Sequence, residues 1–274
     1  MQIKNINRLG SSIQYKVTGE GKTVVLLHGF GEDSTVWQPQ IDFLQQNFRL
    51  IVPDIPGSGQ SKFVPKANIE TYAEILKEII SIELQNPSHT GRGREGAVSL
   101  IGHSMGGYIT LAFAEKYPEY LNSFGLFHSS AFPDTDEKKE TRKKAIGFIQ
   151  KKGGYAFLKT SIPGLFTNEY NTSYPDKVNA LIEEAKNFTE EALVQYYEAM
   201  IARPDRTAVL KNFKYPVLFL IGEHDPAVPL QASLQQCYLP VQSHIKILNN
   251  SAHMGMWEET ETANEFLLNF LLQV

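Results

Sequence analysis

Val98-Ser99-Leu100-Ile101-Gly102-His103-Ser104-Met105-Gly106-Gly107 is the segment from which the rest of the chain can be read. Val98 to Ile101 is a short apolar run of strand character, and Met105 to Tyr117 has helical spacing, so Ser104 falls at a strand-to-helix turn. A G-x-S-x-G match alone arises by chance in roughly one chain of this length in ten. Placement supplies the information. A serine at such a turn is driven towards a strained backbone, and Gly102 and Gly106 remove side chains that would collide there. The hydroxyl is then exposed, and the N-terminus of the following helix offers free N–H groups where negative charge would develop. A glycine-rich phosphate loop is the competing reading. A Walker loop ends in Gly-Lys-Ser/Thr, and a dinucleotide fingerprint spaces its glycines differently, so neither matches.

Outward from this turn, runs rich in Val, Ile, Leu and Phe recur at Thr23 to His28, Phe48 to Pro53, Phe124 to His128, Pro216 to Ile221 and His244 to Leu248. These read as buried strands. Stretches with helical spacing lie between several of them, at Thr35 to Asn47, Ile69 to Leu84 and Leu230 to Leu239, and Trp257 to Leu272 reads as a final helix. The alternation predicts an α/β fold, with a mostly parallel twisted sheet covered by helices on both faces. Ile3 to Leu9 and Ser12 to Val17, separated by Gly10, predict a hairpin at the sheet edge. After His128 the rhythm stops for roughly eighty residues of helical pattern (Asp134 to Gln150, Asp176 to Asn187, Thr189 to Ala202), broken at Pro163-Gly164. The simplest arrangement is a helical cap over the C-terminal ends of the strands, with core residues 1–130, cap 131–211 and core 212–274. A second, independent helical domain is the alternative. His89 to Gly96 reads as a mobile surface loop, because two arginines without an aromatic form no stacking platform.

Of the 274 residues, 42% are hydrophobic and 20% charged, which excludes a disordered chain. Lys plus Arg number 26 against 30 Asp plus Glu, a formal charge of −4, so no nucleic-acid partner is expected. Cys237 is the single cysteine and can form neither an internal disulfide nor a thiolate metal site. The acidic runs, such as Asp134 to Glu140 and Glu258 to Glu261, are interleaved with lysines or sit at helix starts, so no metal and no cofactor is expected. Met1 to Asn5 is polar, and no apolar run approaches the ~18 residues needed to span a bilayer. The expectation is a cytoplasmic protein without a membrane span.

A serine hydroxyl needs a base within reach, itself oriented by an acid. Among the seven histidines, position favours His253, in a loop after the last strand and before the final helix, at the sheet edge where Ser104 sits. His28 reads as a structural member of its turn. His103 points away if Ser104 points up, and His128 reads as structural or as pocket floor. His89 and His244 read as ordinary loop and strand residues. For the acid, Asp225 directly follows the strand Pro216 to Ile221, with Pro226 fixing the turn; Glu223 and Asp134 are alternatives. The oxyanion donors would be the amides of Met105 and of Phe30, whose loop is bent by Gly29 and Gly31. The Phe30 side chain reads equally as pocket wall or packing.

Taken together, His28-Gly29-Phe30-Gly31, Asp54-Ile55-Pro56-Gly57-Ser58-Gly59-Gln60-Ser61, Gly102 to Gly107, Gly222 to Asp225 and Ser251 to Met254 resemble the α/β-hydrolase superfamily, in its cap-bearing esterase and epoxide-hydrolase-like branch. The order of nucleophile, acid and histidine matches, and the likeness spans nearly all the chain except the cap. The resemblance implies that Asp54 to Ser61 is a structural turn. It also implies chemistry, because relatives that displace at an alkyl carbon carry aspartate where this chain has Ser104. A carboxylic ester hydrolase is implied, with C–C bond hydrolases, lactonases and perhydrolases on the same triad as alternatives. A short likeness of Gly29 to Trp37 to hormone-receptor members leaves a slow-turnover small-ligand receptor as the rival from another class.

The expected partner is a small ester with an apolar portion. Tyr155, Phe157, Leu158, Ile162, Leu165, Phe166, Tyr196, Tyr197 and Met200 could wall its pocket or simply pack the cap. Lys138, Lys139, Arg142, Lys143 and Lys144 could attract an anionic substrate, but a solvated helix face is the favoured reading.

Overall fold

The computed structural model describes residues 1–85 and 97–274, so the His89 to Gly96 loop lies outside the described residues. At the N-terminus, β1 (Gln2–Arg8) and β2 (Ser11–Thr18) pair antiparallel from Gln2 with Val17 to Arg8 with Ser11. Their two-residue turn, Leu9 and Gly10, has φ of 51° and 79°, the positive pair that a twist-matched hairpin requires. β2 then pairs antiparallel with β4.

The remaining strands are β3 (Thr23–Leu27), β4 (Arg49–Pro53), β5 (Val98–His103), β6 (Leu121–Phe127), β7 (Val217–Gly222) and β8 (Ser243–Leu248), in a sheet ordered β1-β2-β4-β3-β5-β6-β7-β8. From β4 onwards every pairing is parallel. Strands β3, β4, β5 and β7 are buried along their whole length, as expected where helices cover both faces, whereas edge strand β8 is mostly half-exposed.

The helices are α1 (Gln38–Leu44), α2 (Ile69–Leu84), α3 (Met105–Lys116), α4 (Asp136–Lys152), α5 (Gly154–Ser161), α6 (Asn168–Ser173), α7 (Pro175–Glu184), α8 (Glu190–Ala202), α9 (Thr207–Asn212), α10 (Leu230–Cys237), α11 (Gly255–Glu258) and α12 (Thr260–Gln273). No helix among the described residues is long and apolar enough to cross a membrane. Two of the expected helices are interrupted. Pro39 has no N–H to donate, so Ser34–Trp37 is a 3₁₀ turn and α1 starts beside the proline. The final helix breaks at Glu259, whose carboxylate instead accepts from Asn250 N (2.9 Å) and Ser251 Oγ (2.8 Å).

Parallel register decides where the site lies. Leu27 pairs with Gly102, His103 with Phe127, Phe127 with Leu220, and Gly222 with Leu248. The loops after β3, β5, β6, β7 and β8 therefore leave the sheet at one edge, where open parallel sheets place their ligand sites. Helices α4 to α9 fall between β6 and β7, and polar contacts tie them to the core. Tyr196 Oη donates to Pro56 O (2.8 Å) and so accepts from Ser58 Oγ (2.8 Å), while Gln195 Nε2 donates to Val64 O and Tyr72 Oη (both 3.0 Å). Leu165 O accepts from His253 N (2.9 Å), which ties the segment after α5 to the loop after β8.

Helix α3 is buried from Met105 to Ala114 and packs directly against β3, an approach that only glycine permits. A Cβ on Gly106 would lie 2.5 Å from the carbonyl oxygen of Leu27 and 2.6 Å from that of His28. Backbone oxygens cannot swing aside as side chains can. Gly106→Ala is therefore expected to destabilise the fold by about 3 kcal/mol or more, read as a shift in the urea midpoint; an unchanged midpoint would show that α3 can move without loss.

Candidate active site

Ser104 is built on strain. It sits at φ 50°, ψ −115°, with its amide donating to Phe127 O (3.0 Å) and its carbonyl accepting from Ser129 Oγ (2.7 Å) and Gly107 N (3.0 Å). A non-glycine residue at positive φ persists only where its surroundings over-determine it. Its side chain does not cap α3, so the hydroxyl remains free at the helix N-terminus. Gly29 lies against it, and a Cβ there would be 3.0 Å from Ser104 Cβ. The next residue, Phe30, and Met105, the first residue of α3, donate their amides to no described residue.

Asp225 and His253 come together across the loops after β7 and β8, with His253 Nδ1 donating to Asp225 Oδ2 (2.8 Å). The other carboxylate oxygen, Oδ1, accepts from Ala227 N (2.8 Å) and Val228 N (2.9 Å). Burial alone would raise the Asp225 pKa, but the charge of His253 and hydrogen bonds from His128 and His253 hold it well below the usual carboxylate range. The carboxylate is ionised and fixed in orientation. The backbone of His253 is held on both sides as well: its amide donates to Leu165 O (2.9 Å), and its carbonyl accepts from His103 Nε2 (2.9 Å). Ser104 and His253 share the sheet edge, and no hydrogen bond joins them; hydrogen bonds between candidate catalytic groups often tighten only when substrate binds.

The alternative acids are placed elsewhere. Glu223 is exposed, and Asp134 is buried between Arg142 Nε (2.6 Å) and Arg203 Nη1 (2.9 Å). His28 Nε2 accepts from Ile55 N (2.9 Å), which leaves the proton on Nδ1 for Gly29 O (2.9 Å). In the turn after β4, Asp54 accepts from Gln60 N (3.0 Å) of that turn and from Ser34 N (2.9 Å) in the loop after β3.

One buried group, Glu32, has no counterpart among the residues singled out from the sequence. Glu32 Oε2 accepts from Gly29 N (2.7 Å) and from His103 Nδ1 (2.9 Å), while His103 Nε2 reaches the His253 carbonyl. Burial opposes charge on both partners, but each holds the other ionised: the Glu32 pKa is lowered and that of His103 raised. This ion pair runs beneath Ser104 and joins the loop of Phe30 to the loop of His253. No local signal in the sequence marks it beyond a carboxylate a few residues after a strand.

His128, expected to be structural or pocket floor, partners Asp225. It sits at φ 49°, and its Nδ1 lies 3.2 Å from Asp225 Oδ2 while its Nε2 lies 3.1 Å from Gly255 N. Only the neutral ring protonated at Nδ1 serves both, donating to Asp225 and accepting from Gly255. The Nδ1 atom is also 3.1 Å from Gly222 N, a contact this tautomer cannot use as an acceptor. His128, Asp225 and His253 bring ligand-type atoms within 4.8 Å of one another, yet both imidazoles turn an N–H towards the same carboxylate oxygen. That donor set suits proton sharing and not a cation.

Residues 20–260 match the family model described as Serine aminopeptidase, S33. A 2-hydroxy-6-oxononadienedioate/2-hydroxy-6-oxononatrienedioate hydrolase of Paraburkholderia phymatum is 26% identical, covering 95% of this chain and 91% of its own. A thermophilic esterase from Thermogutta terrifontis, solved with malate bound, superposes with a TM-score of 0.89 at 28% identity, covering 100% of this chain and 99% of its own. An enol-lactonase from Burkholderia xenovorans shares the fold, with a TM-score of 0.86 at 21% identity over 98% of this chain and 100% of its own.

The tautomer of His128 has a consequence for stability. Burial is the largest influence and lowers its pKa from 6.5 to about 4, with Asp225 opposing the shift without cancelling it. The unfolded chain thus binds more protons between those values, and the stabilisation present above pH ~6.5 is lost on acidification towards pH 4, by on the order of 3 kcal/mol. His103 acts in the opposite sense, at higher pH: its contribution is full below pH ~6.5 and is lost as pH rises through its raised folded value. His128→Asn, which tolerates positive φ, is expected to flatten the slope of unfolding free energy between pH 6.5 and 4. Urea titrations across that range check this, and parallel curves for the two proteins would contradict it.

Proposed function

The chain belongs to the Serine aminopeptidase, S33 family of α/β-hydrolases, and from that premise we propose that it cleaves a small carboxylic ester through an acyl-enzyme on Ser104. The observation that carries this reading is the 2.8 Å pairing of His253 with an ionised Asp225 at the sheet edge that also bears the strained Ser104. In the proposed reaction, Ser104 Oγ attacks the ester carbonyl while His253 Nε2 takes its proton. Asp225 stays ionised and steadies the imidazolium. The carbonyl oxygen becomes an oxyanion facing the amides of Phe30 and Met105, each donor contributing about 3 kcal/mol to such a transition state. Collapse breaks the bond to the alcohol, which leaves with the proton from His253. Water then attacks the acyl-enzyme by the same proton route and releases the acid.

A short acyl group would enter the small cavity beside Phe30, the proposed oxyanion donor. Phe30, Gly31, Leu158, Ile162, Leu165 and Tyr197 are among the residues around a cavity of about 80 Å³. Phe30 also stacks on Tyr197 with ring centroids 4.2 Å apart, so this side chain acts as wall and packing at once. We propose that residues 131–211 act as a cap that sets chain length, with Leu158 as a limiting side chain. The similarity to the Paraburkholderia phymatum hydrolase favours a second reading, in which the same serine cleaves a C–C bond of a conjugated keto acid.

Hydrolysis of p-nitrophenyl esters from acetate to decanoate tests the first reading. The wild type is expected to prefer short chains, Ser104→Ala to lose turnover by on the order of 10⁴ to 10⁶, and Leu158→Ala to shift the optimum to longer chains. Retained activity in Ser104→Ala would refute the nucleophile. No ester turnover, with bleaching of a conjugated 2-hydroxy-6-oxo-dienoate, would favour C–C hydrolysis.

A further inference from the structure

We propose that Lys138, Arg142 and Tyr108 form an anion subsite beside Ser104, so that the substrate carries a carboxylate in addition to the bond that is cleaved. The inference rests on the serine-hydrolase reading above and adds a substrate class to it. It begins with the basic run of α4, which the sequence favours as a solvated face. That reading holds for Lys139 and Lys143, which pair with Asp136 (3.7 Å) and Glu140 (2.6 Å) on the helix surface. Lys138 and Arg142 behave differently. They are one turn apart, on the stripe that continues through Ala145 to the buried Ile149, and they turn towards the core.

Each of the three residues touches a different wall of the site. Lys138 Nζ donates to Ala227 O (2.7 Å), and the amide of Ala227 is held by the Asp225 carboxylate (2.8 Å), so this charge rests on the loop of the acid. The Arg142 guanidinium lies 5.5 Å from the centroid of the Tyr197 ring, and that ring stacks on Phe30. Tyr108 stands one turn after Ser104 on α3 and is 3% exposed, and its hydroxyl has no hydrogen-bond partner among the described residues. Arg203 lies over its ring at 3.9 Å.

Around Tyr108, cations outnumber carboxylates among the described residues. Asp134 is the carboxylate that pairs with Arg142 and Arg203, and Lys138 adds a third cation. Burial pushes the Tyr108 phenol up, but Arg203, Lys138 and Arg142 outweigh it and leave the phenol below its ordinary value. All three cations are therefore felt at that hydroxyl. Arg142 spends Nε and Nη2 on Asp134, while its Nη1 donates to no described residue. Tyr108 Oη and Arg142 Nη1 are thus left as donors without a protein partner among the described residues, next to half-buried Lys138 and buried Arg203. A carboxylate would accept from Tyr108 Oη and Arg142 Nη1 and neutralise part of that excess, with charge-assisted geometry.

The test compares kcat/KM for monomethyl glutarate and methyl 5-oxohexanoate, in which an acetyl group replaces the carboxylate. The wild type is expected to favour the charged ester by about tenfold or more, and the preference to fall by about tenfold in Arg142→Gln and by a smaller factor in Tyr108→Phe. Tyr108→Phe keeps the ring beneath Arg203, so it carries the test if Arg142→Gln does not fold. Equal kcat/KM for the two esters in the wild type, or a preference unchanged in the variants, overturns the subsite and leaves the hydrolase reading standing. Should neither ester turn over, thermal stabilisation of Ser104→Ala by glutarate at fixed ionic strength decides. Stabilisation that disappears when Tyr108→Phe or Arg142→Gln is added supports the subsite, and no stabilisation overturns it.

Discussion

Ser104 is held at positive φ by a contact that leaves no room for side chains: a Cβ on Gly102 would lie 2.3 Å from the carbonyl oxygen of Gly106, and one on Gly106 would strike the carbonyls at the end of β3. The end of β5, the first turn of α3 and the end of β3 are thereby locked together. Strain at a functional residue persists only when its surroundings fix it more firmly than its own preference resists. Here the fixing elements are the buried parallel strands, so the stability of the sheet and the geometry of the proposed nucleophile have one origin.

Around that contact, buried charge positions the remaining groups. Glu32 and His103 form an ion pair with hydrogen bonds to Gly29 N and His253 O, and Asp225 is held by two imidazoles and two amides. Buried ion pairs are weak contributors to stability, and their best attested role is to fix one arrangement among several. The Glu32–His103 pair fits that role, because it sets the separation of two loops that only tertiary structure brings together. The amide of His253 adds a contact to Leu165, so the helices between β6 and β7 take part in holding the histidine.

Much of this is legible in the sequence, for a physical reason. A strand buried on both faces has to be apolar throughout, so the runs ending at Leu27, His103, Phe127 and Gly222 announce themselves, and parallel register then gathers their loops at one edge. Ser104, Asp225, His253, Phe30 and Met105 were legible as candidates because each follows the end of a strand. Glu32 was not, because its partner lies 71 residues away and no local pattern encodes the pairing. Lys138 and Arg142 lay between these cases. Mean composition marks α4 as a solvated helix, but the spacing of 138, 142, 145 and 149 places both cations on the stripe that ends at buried Ile149, a signal that outweighs composition when read by position. Helix α1 is shorter than predicted because Pro39 cannot continue a hydrogen-bond ladder, an effect visible in sequence once proline is weighed above periodicity.

The central claim is that a covalent intermediate forms on Ser104. Rapid acid quench of the protein with p-nitrophenyl acetate, followed by peptide mass spectrometry, tests it directly. The account predicts one added acetyl group on the peptide containing Ser104, absent in Ser104→Ala and diminished in Asp225→Asn. Steady release of nitrophenol with no acyl group on that peptide, or with the acyl group on a different residue, would contradict it.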